Sequence, residues 1–244
     1  MNISLLTNTP SPARVMWVAY RTCYSKFTPQ QLWKKAHALS DERIESFIAE
    51  MFKTKHASPQ RHVNFTFGVS GISRVLSHQL VRHTVGVPHS QQSQRYVDGR
   101  NFGNVTPPYL RGVAEAEFHM HMNDCGNAYE RLQDLDIPNE DARFVLPGAT
   151  TTNLTTSFSY EALRNFCHKR LCSQAQWEAR FLAAKLKSEV KTVSPFLAAY
   201  LVPACHENAD GMCTEPYKKF TQCPSKRPHK EDLLKLWNTY GASK

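Results

Sequence analysis

The chain has 244 residues, 41% of them apolar and 21% charged, enough to bury one large core, which excludes a disordered chain or a disulfide scaffold. No run approaches the roughly 20 apolar residues of a spanning helix, and the start, MNISLLTNTPSPAR, has neither a basic leader nor an extended apolar core, so a soluble, cytoplasmic protein is expected. Thirty Lys plus Arg against 21 Asp plus Glu leave +9, a field that attracts phosphates without distinguishing a nucleotide from a polymer.

In chain order, the first clear helix follows Ser40-Asp41-Glu42, where Ile44, Phe47, Ile48, Met51 and Phe52 make one stripe; a helix is predicted over 41–53. Val63, Phe65, Phe67 and Val69 then alternate with polar neighbours, the pattern of a strand, which Gly68, Ser70 and Gly71 are expected to end. From Ile72 the spacing turns helical through Val75, Leu76 and Leu80 to about Thr84, before Gly86 and Pro88 stop it. Residues 89–112 read as a long surface excursion, and loops of that length are usually functional. Helices are predicted over 114–135 and over 140–146, the latter capped by Asn139 and stopped by Pro147, followed by a β-prone stretch from Thr150 to Thr156. One last helix is expected from Ser157 or Ser159 to Val190, with Leu163, Phe166, Trp177 and Phe181 inward. This organisation predicts one catalytic domain over 1–202 and an irregular tail over 203–244, with a short helix at 230–239.

Polar side chains interrupt these apolar faces. Gln79 occupies a position where the pattern expects Leu, and Arg82 and His83 follow at the same end of the helix, converging on one ligand or forming a solvated helix end together with Arg74 and His78. Arg170 falls on the stripe of Leu163 and Phe166, continued by Gln174 and Trp177, and Arg143 neighbours the core-like Phe144, Val145 and Leu146. A buried guanidinium needs an anion or carboxylate. Together with the segment from Ser90 to Arg95, these forks and amides suit a planar phosphate-bearing ligand, a nucleotide rather than a polymer.

No G-x-G-x-x-G, Walker loop, H-E-x-x-H or G-x-S-x-G is present. No metal site is expected: His119 and His121 point to different sides of a helix, and the C-x7-C-x9-C spacing of Cys205, Cys213 and Cys223 is not a zinc pattern. Cys23, Cys125, Cys167 and Cys172, set among apolar residues, read as small hydrophobes.

The order of segments resembles the flavin-dependent thymidylate synthases. The matching pieces are His56, Ser58 and His62 ahead of FTF (65–67), GISRVLSHQLVRH (71–83), SQQSQRY (90–96), ARFVLP (142–147), and the run from Leu163 through Arg170 to AQWEAR (175–180). The tail GMCTE is similar to a Cys-containing ending in many members. The resemblance implies an α+β fold with an antiparallel or mixed sheet and long helices packed on it. It further implies a homotetramer with active sites at subunit interfaces, and the methylation of dUMP to dTMP with FAD, NADPH and methylenetetrahydrofolate.

Residue by residue, the resemblance places Gln79, Arg82, Arg143 and Arg170 on the nucleotide. Gln91, Ser93, Gln94 and Arg95 lie in the loop that a neighbouring subunit offers to phosphate and sugar. His56, Ser58, Arg61, Arg82, His83, Thr84, Ser159 and Asn165 occupy positions around the flavin and the folate stacked on it. Arg170 would also stabilise negative charge on the activated pyrimidine. The sequence departs from the family pattern at Thr84, where a second arginine is usual, at Arg61 in place of Glu, and at Ser159 and Glu161 in place of Asn and Arg. The opposite charge reversals at 61 and 161 predict an ion pair. Two other functions are weighed: a related pyrimidine-nucleotide C5-transferase acting on UMP or giving a hydroxymethyl product, and a non-catalytic basic nucleic-acid-binding module. Against the last, the basic residues are dispersed, and Lys218, Lys219, Lys226 and Lys230 read as a solvated face. No nucleic-acid polymer and no membrane is expected as a partner.

Overall fold

The computed structural model describes residues 1–54, 56–100 and 102–207, with Met212, Cys213, Glu215, Cys223 and Arg227; the helix expected at 230–239 and the tail lysines lie outside the described residues. In chain order the elements are β1 (Asn2–Asn8), α1 (Pro12–Thr22), α2 (Pro29–Ala38), α3 (Asp41–Phe52), β2 (Asn64–Ser73), α4 (Arg74–Leu80), β3 (His89–Gln91), α5 (Val113–Asp134), α6 (Asn139–Ala142), β4 (Thr151–Ser159), α7 (Tyr160–Arg170), α8 (Trp177–Val193) and α9 (Pro195–Ala199). They form two units, Met1–Thr7 with Phe65–Phe158, and Asn8–Asn64 with Ser159–Lys244. No helix among the described residues is long and apolar enough to cross a membrane.

The first unit holds a four-stranded sheet in the order β1-β2-β4-β3, with β3 antiparallel to β4 and Ser90 opposite Thr155. Alternation along β2 and β4 puts Phe65, Phe67, Val69, Leu154 and Phe158 inside, where Phe67 meets Phe158 edge-on with 6.3 Å between ring centroids; each such side chain contributes roughly 1.5–3 kcal/mol by burial.

The expected stop at Gly68 to Gly71 is corrected, because β2 runs on to Ser73. A side chain at Gly68 would come within 3.3 Å of Leu6, so the glycine admits β1 alongside, while Gly71 carries a positive φ of 67° near the strand's end. Ser73 then caps α4, its hydroxyl accepting from Leu76 N at 2.9 Å. The helix is shorter than the periodicity predicts and ends at Leu80, so Arg82 and His83 lie beyond it, and Val75 is 48% exposed. The 140–146 helix is a short turn of α6 followed by a 3-10 turn over Arg143–Val145, and the cap position is Pro138, not Asn139. Phe144 is 83% exposed instead of core.

The second unit is helical. Met16, Tyr20, Leu32, Ile44 and Ile48 meet one another through contacts of α1 with α2 and α3, and Leu163, Phe166, Leu182, Leu186 and Val190 fill the α7 and α8 layer. The single last helix is corrected to two, preceded by strand β4 up to Ser159. The break has its own chemistry: Gln176 caps α8 by accepting from Ala179 N at 3.0 Å, and Arg180 Nη1 donates to the carbonyls of Ser173 at 2.6 Å and Ala175 at 3.2 Å. The inner stripe restarts with Ala179, Leu182, Ala183 and Leu186, which leaves Phe181 46% exposed.

Candidate functional site

In the first unit, the start of α4, the turn after α6 and the end of the Ser90–Arg95 segment bring arginines together. Arg143 Nε donates to the backbone carbonyl of Glu140 at 3.0 Å, and Arg95 binds the Glu140 carboxylate through Nη2 at 2.7 Å and Nε at 2.9 Å. Arg74 makes no side-chain hydrogen bond or ion pair among the described residues, and its pKa is pushed below the usual arginine value by burial and, secondarily, by the charge of Arg143. Arg74 and Arg143 repel each other, and Arg95 reaches the same Glu140 whose carbonyl holds Arg143; an added anion would offset that repulsion. Arg143 and Arg95 were legible in the sequence. Arg74 and Glu140 were not: Arg74 looked like a solvated helix end, and nothing in the local pattern marks Glu140.

Arg82 and Thr84 are exposed beyond α4, His83 is half-buried and Gln79 is half-buried on α4; because α4 ends at Leu80, Gln79, Arg82 and His83 do not share the single helical face that their spacing suggests. Gln91 is turned inward, its Nε2 donating to the buried Thr152 hydroxyl at 3.2 Å. Ser93 Oγ accepts from Arg95 N at 3.2 Å, and Gln94 is half-buried. A groove of about 360 Å³ lies near this segment, lined by Asn2, Ser4, Ser70, Ser90, Asn153 and Thr155 among others. It contains no charged side chain and none of the arginines, so it is not the anion receptor.

In the second unit, Arg170 is the last residue of α7 and half-buried. Gln174 lies past the helix end, so it does not continue the Leu163 and Phe166 stripe. Arg61 and Glu161 form the expected ion pair, Nε to Oε2, with a second contact of 3.3 Å from Nη2 to Oε1. Ser159 is buried and its hydroxyl caps α7 through Ala162 N at 3.3 Å. Asn165 and Ser58 are exposed. His56 receives Tyr24 Oη at Nδ1 at 3.0 Å and stands edge-on to Tyr20 and Tyr24.

Cys23, expected to be a small hydrophobe, is exposed at the end of α1, 3.9 Å from His56 Nε2; Cys167 does fit that role, and burial pushes its thiol up to about 12. A polar network that the sequence did not reveal runs from Tyr20 through Gln60 to Arg164 and Glu207. Among the described residues no group of three His, Cys, Asp or Glu side chains is arranged to hold a metal ion.

The helices and the small antiparallel sheet make this an α+β protein, with Arg74 beside Arg143 in the unit that holds the sheet. The family model described as thymidylate synthase complementing protein matches residues 4–196, and the chain belongs to that family. A flavin-dependent thymidylate synthase of Nitratidesulfovibrio vulgaris is 37% identical over 225 residues, covering 87% of this chain and 91% of that protein. One of Geobacter sulfurreducens is 38% identical over 219 residues, covering 88% and 91%. A crystal structure of the Helicobacter pylori flavin-dependent thymidylate synthase in complex with FAD and dUMP superposes with a TM-score of 0.65 at 21% identity, covering 83% of this chain and 100% of that one, a likeness of fold.

Proposed function

We propose that this chain is a flavin-dependent thymidylate synthase, converting dUMP to dTMP with methylenetetrahydrofolate as one-carbon donor and NADPH as reductant through FAD. The observation that carries this reading is identity of 37–38% to enzymes of that name across 87–88% of the chain. Neither the UMP or hydroxymethyl variant nor a nucleic-acid-binding module is favoured by these relatives.

The nucleotide phosphate is assigned to the receptor of Arg74, Arg95 and Arg143, because a dianion relieves the repulsion between guanidinium groups and accepts their forked donors. Gln79, Arg82, Gln91, Ser93 and Gln94 serve the sugar and base, with the Gln91 amide released from Thr152 as it engages. Arg170 is placed on the pyrimidine, where a fixed positive charge stabilises the anionic character that develops as C5 is activated.

The donor set fits FAD in part. Arg82 has no acid partner among the described residues, and the hydroxyls of Ser58 and Thr84 and the Asn165 amide are exposed, donors suited to phosphates and ring carbonyls; His56, already bonded to Tyr24, and His83 would stand with them. Arg61 and Ser159 are already engaged, by Glu161 and by the α7 cap, so they shape the flavin's surroundings instead of binding it. When bound, the flavin supplies the hydride.

We assign the catalytic domain to residues 1–202, with 203–244 as its tail, in a cytoplasmic homotetramer. Purified protein should be yellow and release tritium from C5-labelled dUMP, not UMP, only when methylenetetrahydrofolate, NADPH and flavin are supplied. Absence of release from dUMP under these conditions removes the assignment.

A further inference from the structure

The segment from Ser90 to Arg95 leaves the sheet after three residues of β3, too short a strand to fix a loop by its ladder alone. One side chain of β4, that of Asn153, bonds both to this segment and to the neighbouring strand. Asn153 accepts from Gln92 N through its backbone carbonyl at 2.9 Å, which adds one more bond to the antiparallel register. Its side-chain Nδ2 donates to Gln92 Oε1 at 2.9 Å, and its Oδ1 accepts from the backbone N of Gly71 at 3.1 Å. Gly71 has a φ of +67° and lies two residues before Ser73, the cap of α4. Asn153 therefore ties the loop to the strand end that launches α4. The side-chain amide carries an acceptor and a donor on one carbon for these two different partners.

We propose that Asn153 is a positioning residue for nucleotide binding: by gripping Gln92 it sets the register of the loop, so that Ser93, Gln94 and Arg95 are presented to the substrate. Gln92 is the loop's anchor and not a ligand, and it faces the sheet beside Gln91, which bonds Thr152 of the same strand. The inference rests on the dUMP reading above for what the loop binds, while the grip itself is a property of the fold.

The polarity of the contact provides the test. In Asn153→Asp the new carboxylate still accepts from Gly71, and the Gln92 amide turns over to donate to it. In Gln92→Glu the carboxylate accepts from Asn153 Nδ2. Each single variant keeps a bond; the double variant Asn153→Asp with Gln92→Glu sets two carboxylates against each other. Amide hydrogen exchange of a peptide spanning residues 87–97 and equilibrium binding of radiolabelled dUMP are measured on the full chain.

The expected result is single variants within about twofold of the parent in both measurements. In the double variant, loop exchange should be about tenfold faster and the dUMP Kd about tenfold weaker, with kcat changed far less and exchange elsewhere unaltered. Unchanged exchange of that peptide in the double variant overturns the grip. Faster exchange with unchanged dUMP affinity overturns the positioning role, and a parent chain that binds no dUMP overturns the functional reading while leaving the exchange result to judge the grip.

Discussion

Arg74 and Arg143 show how a residue's role depends on what other segments bring near it. Both are half-buried, and the charge of one lowers the pKa of the other, so replacing Arg74 by Ala should relieve repulsion in the free protein and weaken dUMP. We expect KM for dUMP to rise by about tenfold or more, on the order of 1.5–3 kcal/mol for a charge-assisted bond, with kcat changed little; an unaltered KM would take Arg74 out of the receptor. Arg170→Ala should instead depress kcat/KM by about 2 kcal/mol or more, and Lys191→Ala, at an exposed site on α8, should do nothing. Arg61 and Glu161 offer a test of pairing: each single reversal should lower the melting temperature, and the double swap Arg61→Glu with Glu161→Arg should restore it, the signature of two coupled residues. The pair was legible because the two residues reverse the family's charges in opposite senses.

Elements carry their own pH dependence. His89 opens β3 and joins two elements, its Nε2 donating to the His83 carbonyl at 3.2 Å and its Nδ1 accepting from the Thr156 hydroxyl at 3.0 Å. Burial holds its pKa below the ordinary 6.5, against a smaller opposing effect of the His83 carbonyl. The neutral ring is therefore the form that folding favours. Its stabilisation is present above pH 6.5 and is lost as pH falls through the lower folded value. Urea melts at stepwise pH from 7.5 to 5 should show declining stability, and His89→Asn should flatten that slope; an equal slope in the variant would assign the loss to other groups.

Ser159 is likewise an element-scale residue, since its hydroxyl caps α7, and Ser159→Ala should cost about 1 kcal/mol in the same melts. Helix α3 was readable from its single stripe, whereas the break between α7 and α8 was not. Leu163 to Val190 keeps an apolar period across it, and the signal for the break is an amide cap at Gln176, a weaker sequence marker than Ser or Asp.

At the scale of the molecule, α5 has 22 residues and buries only Tyr129. Tyr109, Val113, Leu135 and Phe144 in the same unit are 90%, 80%, 71% and 83% exposed. Large apolar side chains gathered in one unit signal a protein partner, in keeping with the proposed homotetramer. Light scattering should give a mass near four times 27.8 kDa, and Phe144→Asp with Leu135→Asp should shift it toward smaller species; a monomeric parent would exclude the tetramer. The sequence by itself determined the family, through motifs whose order survives divergence, and the elements whose apolar period is unbroken, because periodicity is written among neighbours a few residues apart. Only the tertiary structure decided which arginines stand together, which glutamines face the sheet, and where helices end. Those outcomes depend on bonds between segments 20 to 70 residues apart, as between Gln92 and Asn153 or Arg95 and Glu140, and no local pattern encodes such partners.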